Sequence, residues 1–76
     1  MSSNAEKLYK LIANDSKKKQ SVFMTALTNP KKALDKICNM GNEFDIPVTK
    51  EEVIDYLSTI DDEATKMWLL KARGGL

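Results

Sequence analysis

The sequence has 76 residues, about half of an ordinary domain, with 42% hydrophobic and 30% charged residues, so it describes one small globular domain of marginal stability rather than a disordered chain. Histidine is absent and Cys38 is the one cysteine. This removes the commonest general base, the commonest zinc ligand and any intramolecular disulfide, and leaves no expectation of catalysis, metal or cofactor. The net charge is +1 and the longest apolar run is Met67-Trp68-Leu69-Leu70, too short for a membrane span; the N-terminus lacks the basic and apolar stretches of a secretory signal.

The periodicity is helical almost throughout. Ser3-Asn4-Ala5-Glu6 reads as a capping box, and Ala5, Leu8, Leu11 and Ile12 follow at helical spacing. Asn14-Asp15-Ser16 offers a break and a new N-cap. A second helix is expected from about Ser16 to Thr28, with Val22, Phe23, Ala26 and Leu27 on one face. Its Lys17-Lys18-Lys19 opening opposes the helix dipole, so that end is expected to fray.

Asn29-Pro30 restarts the helix, with Asn as the cap and Pro at the first helical position. Ala33, Leu34, Ile37 and Cys38 form the apolar stripe. Gly41 is expected to stop this helix in the left-handed conformation that glycine tolerates best. Residues 42–48 then read as an extended loop that tucks Phe44 and Ile46 onto the core. Thr49-Lys50-Glu51-Glu52 is a second capping box, followed by Val53, Ile54, Leu57 and Ile60. Asp61-Asp62-Glu63 opens a last helix carrying Ala64, Met67, Trp68 and one of Leu69 or Leu70, and Gly74-Gly75 ends it. The fold class is all-α: a small bundle of four to five short helices with one extended loop at about 42–48.

Candidate chemistry is thin. Cys38, on an apolar helix face, reads as a structural thiol, because Lys36 points elsewhere on the helix. The acidic residues Glu51, Glu52 and Asp55, and the run 61–63, lack the alternating spacing and glycine turn of a calcium loop; their place at helix N-termini explains them. Residues 1–40 carry a net charge of +5 and residues 41–76 a net of −4. The basic half, including Lys17, Lys18, Lys19, Lys31 and Lys32, reads as solvated helix surface rather than a nucleic-acid interface. A nucleic-acid binder usually adds arginine and interleaved aromatics, and Arg73 is the one arginine. Trp68, Leu69 and Leu70 are consecutive, so at least one must face solvent, where it could dock a partner or pair two copies of the chain. The double glycine in Ala72-Arg73-Gly74-Gly75-Leu76 would let this segment enter a narrow protease cleft in extended form.

Taken together, several segments resemble the nitrogen-fixation-type (Nif-eleven-like) leader peptides of bacterial ribosomally synthesised, post-translationally modified peptide precursors. They are Leu8-Tyr9-Lys10-Leu11-Ile12 with Asp15, the Pro-started helix Asn29 to Met40, Gly41 to Phe44, the capped acidic helix from Thr49 to Val53, and Asp61-Asp62-Glu63 before the double glycine. The resemblance spans nearly the whole chain, and other modified-peptide precursors with small helical binding domains share the layout. It implies a cytoplasmic leader, residues 1–73, that docks a peptide-modifying enzyme so that a C-terminal core is modified. A double-glycine-cleaving cysteine peptidase, often fused to an exporter, would then cut between Gly75 and Leu76, making residues 74–76 the cleavage site and start of the core. It implies recognition of the last segment through Ala64, Trp68, Leu69, Leu70 and Ala72, and enzyme docking through Leu8, Leu11, Ile12, Asp15 and Phe44. A stand-alone helical interaction or regulatory module would use the same apolar surfaces without needing the glycines.

Overall fold

A computed structural model describes residues 3–72. Five helices follow one another: α1 (Asn4–Ala13), α2 (Ser16–Thr28), α3 (Pro30–Glu43), α4 (Lys50–Leu57) and α5 (Glu63–Ala72), with no strand among the described residues. The protein is an all-α bundle.

Each boundary has a local cause. The Ser3 hydroxyl accepts the Glu6 amide at 3.1 Å, one half of the expected capping box. Asp15 caps α2 through the Lys17 and Lys18 amides and pairs loosely with the Lys18 ammonium at 3.8 Å. The lysine-rich end that was expected to fray is therefore a closed first turn, because one carboxylate answers both the free amides and the adverse charge. Asn29 caps α3 at the Lys32 amide, with Pro30 in the first turn. Thr49 and Glu52 form the full reciprocal box. Asp62 caps α5: its Oδ2 accepts the Thr65 amide at 3.2 Å and the Thr65 hydroxyl at 2.6 Å.

Gly41 does not end α3. The helix runs two residues further, and the left-handed residue is Asp45, at φ 59°. The Ile46 amide donates back to the Gly41 carbonyl at 2.7 Å and the Asp45 amide to the Asn42 carbonyl at 3.2 Å. These two bonds make a Schellman motif, with an aspartate where glycine usually sits. Gly41 is needed for a different reason: a Cβ there would stand 2.6 Å from the Ile46 carbonyl oxygen and 3.0 Å from Leu8 Cδ2. The glycine lets the returning loop cross the helix. The loop is accordingly shorter than expected, but it does lay Phe44, Ile46 and Val48 against the core. Asn4 holds it from α1 by donating to the Pro47 carbonyl at 3.0 Å, and the Lys18 ammonium stands 5.5 Å above the Phe44 ring.

The core is aliphatic and small, apart from Trp68. Leu8 is fully buried at its centre, with Ile12, Val22, Ala26, Ala33, Leu34, Ile37, Met40, Val53, Leu57, Leu69 and Ala72 around it. Among the described residues no polar side chain is buried. Three stripes differ from expectation: on α1, Leu11 is exposed. On α2, Val22 and Ala26 are buried, while Phe23 and Leu27 are exposed. This helix packs most extensively on α3 and also on α1, and the small Val22–Ala26 edge permits that closeness. On α5, Trp68, Leu69 and Ala72 are buried, while Ala64 and Met67 face outward. That helix is apolar on several sides, so its sequence alone does not fix its roll. An Asp35–Lys50 pair at 2.7 Å joins α3 to α4 at the surface.

Candidate binding groove

The α5 helix packs on α3 and α4, which leaves a groove between it and the α1–α2 pair. The groove has a volume of about 510 Å³ and draws on all five helices. One wall is the α1 face bearing Ala5, Tyr9, Ile12 and Ala13, positions that the helical repeat brings to one side. Lys19, Val22 and Phe23 come from α2, and Val53, Tyr56 and Leu57 from α4. Ala64, Thr65 and Trp68 close the α5 side, and Ile37 lies beneath. The Tyr9 and Tyr56 rings meet with centroids 5.5 Å apart and planes tilted by 58°.

Charge is confined to the rim. Asp62 stands at the start of α5, and its carboxyl lies below the ordinary range because Thr65 donates to it twice, with the Lys19 charge a smaller contribution. The Tyr9 hydroxyl is pushed up, mainly by burial and further by Asp62 and Tyr56. No group here is paired as a nucleophile with a base. Cys38 is half-buried against the core, and burial, followed by the Asp35 charge, pushes its thiol up. It is a poor nucleophile at neutral pH. Among the described residues no three Cys, Asp or Glu side chains converge as metal ligands, and no helix is long and apolar enough to cross a membrane.

The residues singled out in the sequence fall into two groups. Leu8, Ile12, Trp68, Leu69 and Ala72 are buried, and Phe44 is half-buried in the loop. Asp15 is spent on capping α2. Leu11 and Leu70 are exposed, at 44% and 43%, as is Ala64. The expectation that one of Trp68, Leu69 and Leu70 faces solvent holds, and the residue is Leu70. Gly74, Gly75 and Leu76 lie outside the described residues. The sequence reading missed the groove: it put Phe23 on the apolar face of the second helix, quoted Tyr9 only within the leader-like segment Leu8-Tyr9-Lys10-Leu11-Ile12, and did not name Tyr56. A run of helical stripes carries no signal for a gap between nonadjacent helices.

A family model described as a domain of unknown function (DUF8665) matches residues 5–74, the stretch that holds all but the first turn's start of the bundle. The chain belongs to this family. No curated protein and no solved structure matches it. For this DUF8665 chain the functional reading therefore rests on the groove and on the apolar side chains that the fold leaves outside.

Proposed function

We propose that the chain works by docking, as the leader region of a bacterial modified-peptide precursor. It holds a peptide-modifying enzyme so that an attached C-terminal core reacts, and a double-glycine peptidase removes it after Gly75. Tethering raises the effective concentration of the core at the enzyme's site, so a poor core sequence still reacts. The chain contributes binding and no catalytic group, and the encounter takes place in the cytoplasm.

One observation carries this reading. The α5 helix is anchored by Trp68, Leu69 and Ala72, yet it presents Met67 and Leu70 outward, at 61% and 43% exposure, a few residues before Gly74-Gly75. An apolar surface for a partner and the segment to be cut are thus parts of one helix and its continuation. Leu11 on α1 adds a second exposed apolar contact.

The test is a maturation assay read by mass spectrometry. Gly75→Val is expected to leave the core modified and the leader attached. Normal removal from that variant would refute the assignment of the cut.

A second reading, a stand-alone interaction module, is favoured by the burial of Leu8, Ile12, Trp68, Leu69 and Ala72. Those positions are committed to the fold, so a partner would meet the exposed residues alone. In that case Gly74 and Gly75 variants are silent, while charge placed at Met67 and Leu70 abolishes partner binding.

A further inference from the structure

The groove has a character that docking on exposed α5 residues does not use. The chain has two Phe, two Tyr and one Trp, and four of these five aromatics, Tyr9, Phe23, Tyr56 and Trp68, line this one groove. Tyr9 and Tyr56 touch, Trp68 is buried and Phe23 is exposed, and together they border a space of about 510 Å³, within the range of about 300–1,000 Å³ typical of small-ligand sites.

We infer that the groove is a binding site for a small, uncharged aromatic molecule. The 58° tilt between Tyr9 and Tyr56 presents a ring face beside a ring edge. A planar aromatic body seated beside the pair gains a face contact with one ring or an edge contact with the other, whereas an aliphatic chain gains only buried area. The rim selects against net charge. Lys19 and Asp62 both border the opening, with opposite signs, so an anion drawn to one is repelled by the other. Neither makes an ion pair with another described residue. Asp62 engages Thr65 through Oδ2, and among the described residues its Oδ1 has no donor, so it can accept a hydrogen bond from a ligand. This site stands apart from the docking role, because it is measured on the chain alone, with no enzyme or core present.

The experiment is a titration of the purified chain with N-phenyl-1-naphthylamine, a neutral aromatic probe. Probe fluorescence and the emission of Trp68, the chain's one tryptophan, are followed together. Saturation at one equivalent is expected, with both signals changing at the same probe concentration. Ala64→Phe, at an exposed position on the groove's edge, keeps the helix and fills the space; it should weaken binding by at least about tenfold while leaving thermal unfolding unchanged. Decanol, an uncharged aliphatic competitor, should bind at least about tenfold more weakly than the probe. Decanol binding as tightly as the probe would overturn the aromatic assignment. Unchanged binding to the Ala64→Phe variant would place the probe elsewhere and overturn the site. An absence of saturable binding would overturn the inference whole and leave the groove to a protein partner.

Discussion

Replacing Gly41 with alanine separates two accounts of how α3 ends. In a helix interior the substitution gains about 1 kcal/mol of propensity. Against this, the new Cβ would stand 2.6 Å from the Ile46 carbonyl oxygen, a backbone atom that cannot swing aside, and 3.0 Å from the fully buried Leu8. The loop must lift, which strains or breaks the 2.7 Å bond from the Ile46 amide to the Gly41 carbonyl. Overpacking costs about 1–3 kcal/mol and the lost bond about 1 kcal/mol. The net expectation is a loss of about 2 kcal/mol, or about 8–16 °C in the melting temperature of a domain this size. Circular dichroism at 222 nm through a thermal and a urea transition measures it. Asp45→Gly supplies the control. It relieves an aspartate from the left-handed region and should stabilise the fold by up to about 1 kcal/mol. A Gly41→Ala chain as stable as wild type, or an Asp45→Gly chain less stable, would refute the crossing and the motif together.

The other predictions concern single groups. Asp62 has its carboxyl held below the ordinary value by the Thr65 donors, so its contribution is fully present above that ordinary value and is lost as pH falls through the lowered one. An acid titration of stability should therefore show a step below about pH 4 that is missing in Asp62→Ala, which itself loses about 1 kcal/mol of capping at neutral pH. Cys38 titrates above the ordinary thiol value because burial disfavours its thiolate. Its alkylation by iodoacetamide at pH 8 should be slower in the folded chain than in urea, and the stability it adds should fall as pH rises through its folded value. Equal rates in the two states would contradict its burial. Leu8→Ala, at the centre of the core, should cost about 2–5 kcal/mol by denaturant unfolding; a cost under about 1 kcal/mol would mean that the packing around it is loose.

The order of the helices was legible because each start carries its own signal. Ser3, Asp15, Asn29, Thr49 and Asp62 are short polar side chains that answer free amides at the head of a helix, and all five do so through hydrogen bonds within a few residues. What failed was long-range. Gly41 looked like a local stop, but its lack of a side chain answers Ile46 and Leu8, which reach it only through the tertiary fold. Phe23, Leu27 and Met67 looked like core by spacing, but each lies on a helix with apolar residues on more than one side, and neighbouring helices decide the roll. The Tyr9–Tyr56 wedge joins residues 47 positions apart, and nothing in either local stretch points to the other.

The docking claim is tested most directly by charging the outward face of α5. Met67→Asp with Leu70→Asp changes two exposed side chains and should move stability little, since surface substitutions are usually within about 0.5 kcal/mol. The variant is expressed with its core and modifying enzyme, and the core's mass is read. The account predicts a folded chain whose core is left unmodified. A core modified to the wild-type extent would contradict it.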